Sequence, residues 1–208
     1  AMRVLGTEAR VSSMKMRNGN ISKDEWIRLG TATCALNDCE LYFDDTSSIT
    51  VPEMKAKIRR LGGVECVIID SLGLIKGSTR AENRVNEVSE ITRNLKMMAK
   101  DLSIPVVCCA QLSRGTEARG KSHKPQLADL RESGSIEQDA DIVMMLYRPD
   151  YYKGENDEPA DIPEDQDGVN KVQVLVVKNR HGETGTVEFA WDGEHTLFLP
   201  LEKNYDDR

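Results

Sequence analysis

The residues best suited to chemistry stand where apolar runs end. Cys66, Val67, Ile68, Ile69 and Asp70 form a largely β-branched run that closes on an acid. A carboxylate at the carboxyl end of a buried parallel strand lies on the edge where open α/β sheets bind ligands. There it can hold Mg2+, usually through water, because that ion prefers octahedral oxygen coordination and bridges phosphates. An acid also occurs wherever a strand meets a turn, so the residues alone leave both readings open. The apolar run 104–110 is followed by Gln111, a neutral amide that can donate to a phosphate oxygen and accept from a water, or simply cap the strand. Two polar ends on neighbouring strands reinforce each other.

Basic residues supply the second kind of candidate. Between positions 113 and 131, Arg114, Arg119, Lys121, Lys124 and Arg131 outnumber Glu117 and Asp129, a balance that suits either a phosphate-gripping loop or an ordinary solvated one. In Leu130, Arg131, Glu132, Ser133, Gly134 and Ser135, a glycine and serines ahead of Ile136 can offer backbone amides to an anion at a helix start. Lys178 and Arg180 flank Asn179 where a strand turns, with Gly182 tightening the bend, so both cations project from a hairpin. Cations so placed either neutralise charge on a phosphoryl group held by a neighbouring subunit or stand solvated on the surface. His123, His181 and His195 are scattered and read as surface residues.

The elements that position these groups follow from periodicity and capping. Val4, Leu5, Val11, Met14 and Met16 read as helical up to Arg17-Asn18-Gly19, a C-terminal glycine signal. Ser22 with Glu25, and Thr50 with Glu53 around Pro52, are capping boxes that open two further helices, the second running through Ile58. Leu41, Tyr42 and Phe43 read as a short buried strand and 64–70 as a second. Val85, Val88, Ile91, Leu95, Met98 and Leu102 recur at helical spacing and form a long amphipathic helix before the strand 104–110. Strand, helix, strand implies a right-handed crossover in a parallel sheet. Residues 140–147 are another apolar run, and 171–177, 184–191 and 196–199 read as strands joined by tight turns into an antiparallel extension.

Composition bounds the class. The net charge of −7 is local: residues 150–167 carry eight acids and one lysine, leaving 27 acids and 27 bases elsewhere. The segment 150–170 is therefore read as an acidic, mobile loop, and the neutral remainder does not by itself announce nucleic-acid binding. The 208 residues fit one domain, 1–208. No run approaches the roughly 18 apolar residues of a membrane span and no signal pattern opens the chain, so a soluble, cytoplasmic protein is expected. Cys34, Cys39, Cys66, Cys108 and Cys109 lack a C-x-x-C pair or a nearby His and read as buried thiols in a reducing compartment.

In this order and over nearly the full chain, the segments resemble the C-terminal RecA-like motor domain of DnaB-type replicative DNA helicases. Asp70 stands where that family has its Walker B aspartate, and Gln111 where it has the glutamine that couples nucleotide state to DNA. The stretch Asp129-Leu130-Arg131-Glu132-Ser133-Gly134-Ser135-Ile136-Glu137-Gln138-Asp139-Ala140-Asp141 looks like the family's most distinctive run. By that resemblance Arg131, Glu132 and Gly134 contact the backbone of single-stranded DNA, and Lys178 and Arg180 enter the neighbouring subunit's ATP site. The fold implied is a P-loop NTPase core, a central, mostly parallel sheet flanked by helices with a C-terminal antiparallel extension. The resemblance also implies ATP and Mg2+ as cofactors, with Asp70 reaching the metal through water. A homohexameric ring moving 5'-3' on single-stranded DNA follows from it, with primase and a helicase loader as partners.

Ser71 and Gly73 depart from the family, which continues that strand with a tyrosine and later a glutamine. Neither a G-x-x-x-x-G-K-[ST] loop nor the family's catalytic glutamate occurs in the sequence. The domain is therefore expected to be incomplete at its N-terminus, and this chain alone not to hydrolyse ATP. Two other readings stand beside the motor: a non-catalytic module that binds DNA or enters helicase rings through Arg180, and another RecA-like ATPase, against which the stretch 129–141 speaks.

Overall fold

A computed structural model of the chain describes residues 2–77, 83–113, 123–130, 134–149 and 170–201. The acidic segment expected to be mobile lies, but for Asn170, outside the described residues. The structure is α/β and forms two compact units: Ala1–Asp44, Arg148–Val174 and Val187–Arg208 make one, Asp45–Tyr147 and Leu175–Thr186 the other.

The first unit opens with α1 (Met2–Ala9), α2 (Ser13–Asn18) and α3 (Lys23–Asn37). The single N-terminal helix expected from the sequence is two, broken where Arg10 takes a positive φ of 49° and the Val11 amide bonds back to Gly6 O at 2.9 Å. Gly19 closes α2 at φ 72°, a conformation that costs glycine no Cβ clash. At the start of α3 the box is complete: Ser22 Oγ accepts from the Glu25 amide at 3.2 Å and Glu25 Oε2 accepts from the Ser22 amide at 2.8 Å. Glu25, Leu29 and Ala32 make the buried stripe of α3, and Leu29 and Ala32 pack with Ala9 and Val11. Trp26 and Ile27 lie off that stripe and are exposed. Leu41, Tyr42 and Phe43, read above as a buried strand, are exposed and form no strand. The Leu41 amide turns back to Cys39 O instead, and without a neighbouring ladder an apolar triplet has no reason to extend.

The second unit carries α4 (Val51–Leu61), β1 (Val67–Asp70), α5 (Arg84–Leu102), β2 (Val106–Cys109), α6 (Gly134–Asp139) and β3 (Ile142–Tyr147). Thr50 and Glu53 form the predicted box at the start of α4. β1 and β2 pair in parallel, Val67 opposite Val106 through Asp70 opposite Cys109, as a strand–helix–strand unit requires. Ile69 joins Val51, Leu72, Ile75, Val88, Ile91, Leu95 and Met98 in one core, so the apolar period of α5 is the face laid on the sheet. Alternation sends the other residues to the opposite face, where Ile68 is 73% and Val107 45% exposed. The strands are thus half-buried, a correction to the fully buried reading.

A further sheet has the order β3-β4-β5-β6, with β4 (Lys171–Asn179), β5 (Gly185–Asp192) and β6 (Leu197–Pro200). Five residues join the adjacent strands β4 and β5, too few for a parallel crossover, so that pair is antiparallel. β5 and β6 are antiparallel, with Phe189 opposite Pro200, and Phe198 meets Trp191 edge-on at 4.9 Å between ring centroids. The thiols depart from expectation: all five are free and four are exposed, and only Cys108 is partly buried. Burial first, and Cys109 beside it second, push the Cys108 thiol up to about 11.

Candidate functional site

Parallel register determines where the two polar strand ends emerge. Asp70 lies opposite Cys109, and Gln111 follows Cys109 by two residues, so both leave the sheet at its carboxyl edge and both are exposed. The peptide bond from Asp70 to Ser71 is cis. Among the described residues the Asp70 carboxylate has no ion pair or hydrogen bond, which leaves a hard oxygen donor open to the edge. No cluster of three His, Cys, Asp or Glu among the described residues could hold a metal alone. Mg2+ needs no such cage, since it binds through one or two carboxylates, waters and phosphate oxygens. The donor chemistry therefore fits Mg2+ arriving with a nucleotide. Beyond Gln111, the Ser113 amide donates to Asp129 O at 2.9 Å, tying the exit of β2 to the residues ahead of 131–134. Asp129 is buried, and its Oδ2 accepts from the Gln126 amide at 2.7 Å.

Lys178 is next to last in β4 and Arg180 opens the turn that follows. Gly182 leaves room there for the Asn179 side chain: a Cβ would stand 2.5 Å from Asn179 Nδ2, the amide that donates to Glu183 O, and that side chain would have to shift. Both cations also make bonds within the chain. α6 has six residues and, like every helix, leaves its last carbonyls without intrahelical donors. Lys178 Nζ donates to the carbonyls of Glu137 and Ala140, the latter at 2.8 Å, and Arg180 Nη2 donates to that of Gln138 at 2.9 Å. Positive charge at this end also opposes the helix dipole. Asp141 anchors Arg180 further, with Oδ1 3.2 Å from Nη1, while Lys96 of α5 pairs with Oδ2. The hydrogen bond from Lys96, helped by the charges of Lys96, Arg180 and His181, holds the Asp141 carboxyl below the usual carboxylate range.

Gly134 opens α6 and is exposed, whereas Arg131 and Glu132 lie outside the described residues. The sequence reading missed the polar stripe of α5. Ser89 Oγ is 2.9 Å from Ser135 Oγ, Thr92 Oγ1 donates to Asp139 Oδ2 at 2.6 Å, and Lys96 reaches Asp141. Positions 89, 92 and 96 follow helical spacing beside the apolar face, so the signal was present as a second stripe.

A family model described as the DnaB-like helicase C terminal domain matches residues 1–200. The replicative DNA helicase DnaC of Bacillus subtilis (strain 168) is 42% identical over 210 residues, covering 99% of this chain and 44% of that protein. The replicative DNA helicase DnaB of Geobacillus stearothermophilus is 41% identical, with the same coverage. Among solved structures, one described as an ATPase domain superposes with a TM-score of 0.84 at 33% identity, over 96% of this chain and 69% of that one. A DnaB-like replicative helicase, solved in a study of its interactions with primase, gives a TM-score of 0.85 at 32% identity over 97% of this chain and 47% of its own. The chain spans under half the length of the curated relatives named here.

Proposed function

The chain belongs to the DnaB-like helicase C-terminal domain family, and on that premise we propose that it is part of the ATP-driven motor of a replicative DNA helicase. In the complete protein this motor is a homohexameric ring that moves 5'-3' on single-stranded DNA. The observation that supports the reading is the shared register of β1 and β2, from which Asp70 and Gln111 leave the same sheet edge.

Mg2+ bound with ATP supplies neutralisation of the charge that develops on the transferred phosphoryl group. Asp70 would hold the metal at the sheet edge, and Gln111 would donate a hydrogen bond to the nucleotide from the neighbouring strand end. The bond from Ser113 to Asp129 gives a short covalent and hydrogen-bonded route from that glutamine toward residues 131–134. Arg131, Glu132 and Gly134 contact the DNA backbone, with Arg131 supplying the charge, without reading sequence. Arg180, with Lys178 beside it, is the cation offered to the neighbouring subunit. Primase and a helicase loader are assigned as partners by likeness to the family. The phosphate-binding loop that hydrolysis needs is not in this sequence, so turnover is assigned to the complete protein.

The test is ATP hydrolysis with and without single-stranded DNA, for this chain and for the complete protein that carries it. Hydrolysis stimulated by DNA in the complete protein, and absent in this chain, is the expected result. A complete protein that forms rings and binds DNA yet hydrolyses nothing would overturn the motor reading in favour of a non-catalytic ring subunit.

A further inference from the structure

Arg180 has five N–H donors on its guanidinium and, among the described residues, spends two of them, one on Asp141 Oδ1 and one on Gln138 O. Its side chain keeps 45% of its surface exposed. A fork held by part of its donors with the rest open is aimed, as opposed to hidden. Lys178 differs: it is half-buried and its ammonium spans the carbonyls of Glu137 and Ala140, which makes it a cap for α6.

Asp141 uses its two oxygens on different partners. Oδ2 accepts from Lys96 of the long helix α5, and Oδ1 accepts from Arg180 Nη1. The backbone adds a second link, the Arg180 amide donating to Asp141 O at 2.9 Å. Removing the carboxylate would keep the turn attached through this amide bond but free the guanidinium to rotate. The contacts from Thr92 to Asp139 and from Ser89 to Ser135 tie α6 to the same helix, so α6 and the base of Arg180 share one support.

We propose that Asp141 is a positioning residue for Arg180: through Oδ1 it fixes the guanidinium against the C-terminal end of α6 so that the remaining donors face a phosphate on a neighbouring subunit. The proposal rests on the reading of Arg180 as the cation supplied in trans.

The experiment uses the complete helicase carrying this chain. Asp141→Asn keeps the size and one oxygen acceptor but loses the charge that pairs with both cations. It should lower kcat for ATP by about ten- to a hundred-fold, the scale of a misplaced catalytic group, with KM for ATP and ring assembly within about two-fold of wild type. Backbone amides of residues 178–182 should exchange with solvent at the wild-type rate, because the bond from the Arg180 amide to Asp141 O keeps the turn in place, a readout independent of turnover. Lys96→Met leaves the contact between Asp141 and Arg180 in place and should lower kcat by less than about three-fold. Equal losses in both variants would mean that the carboxylate only ties α5 to the segment before β3, and would overturn the proposal. So would an unchanged kcat in Asp141→Asn beside an inactive Arg180→Ala. Normal turnover in Arg180→Ala is a different failure: it removes the in-trans reading itself, and this proposal with it. If Asp141→Asn does not assemble, Asp141→Glu is judged by the same split of kcat from KM.

Discussion

Arg180 and Asp141 are joined at two levels, Nη1 to Oδ1 at 3.2 Å and backbone amide to carbonyl at 2.9 Å, across 39 residues of sequence. The pairing leaves the arginine half-exposed beside a glycine turn, where its charge can act on another molecule. Arg180→Ala in the complete protein is expected to abolish DNA-stimulated hydrolysis, a loss of about 10³-fold or more in kcat, with nucleotide binding retained. Steady-state hydrolysis alongside equilibrium binding of a fluorescent nucleotide checks this. Turnover at the wild-type rate would reject the assignment.

Asp70→Asn removes a charge from an exposed strand end whose carboxylate makes no hydrogen bond or ion pair among the described residues. Stability in urea should therefore shift by no more than about 0.5 kcal/mol, the usual range for a surface site. Turnover of the complete protein should fall by at least about a hundred-fold, since a neutral amide orients a hydrated Mg2+ poorly. A loss of stability without a specific loss of turnover would make the acid a strand-end feature only.

The parts legible in the sequence are those whose cause is local. Ser22 with Glu25 and Thr50 with Glu53 announce their helices because a capping box is closed within four residues. Asp70 and Gln111 stand out because an apolar run that stops at a polar residue is itself the signal. Leu41, Tyr42 and Phe43 misled because strand formation depends on a partner ladder, which three apolar residues do not specify. The thiols misled in the same way, since which face of α3 or β2 is covered is decided by distant segments. The bonds of Lys178 and Arg180 to α6 were illegible for that reason: free carbonyls at a helix end accept from any donor the fold brings close.

Opposite faces of one sheet should respond differently. Ile91 is 1% exposed at the centre of the core that α5 lays on β1, so Ile91→Ala should cost about 2–5 kcal/mol. Ile68 is 73% exposed on the other face, and Ile68→Ala should change the stability of this chain by no more than about 0.5 kcal/mol. Urea unfolding of the two variants decides. Equal costs would mean that the outer face is covered in solution.

Arg131→Ala tests the DNA-facing assignment. The loss of one phosphate contact should weaken binding of single strands of any sequence and reduce the slope of log affinity against log salt by about 0.7 to 1. Titrations at several salt concentrations measure it. An affinity unchanged throughout would remove Arg131 from the DNA interface.

Glu25 links the pH response of the first unit to one cap. Its carboxylate accepts from the Ser22 amide and, at 2.9 Å, from Lys15, and these bonds, the Ser22 amide first, lower its pKa from 4.5 to about 2. A folded-state value below the unfolded one stabilises the fold fully above the unfolded value, and the gain is lost as pH falls through the folded value. The window is therefore about pH 4.5 down to 2. Glu25→Gln preserves an acceptor for the box but removes the charge, so it isolates this contribution. Wild type should be more stable than the variant near pH 7, and the gap should close on acidification toward pH 2. Added salt should narrow the gap at neutral pH, because Lys15 is half-exposed and its share of the attraction is screened. Urea melts across that pH range measure the gap, and a difference that stayed constant from pH 7 to pH 2 would show that the Glu25 charge plays no part in holding α3.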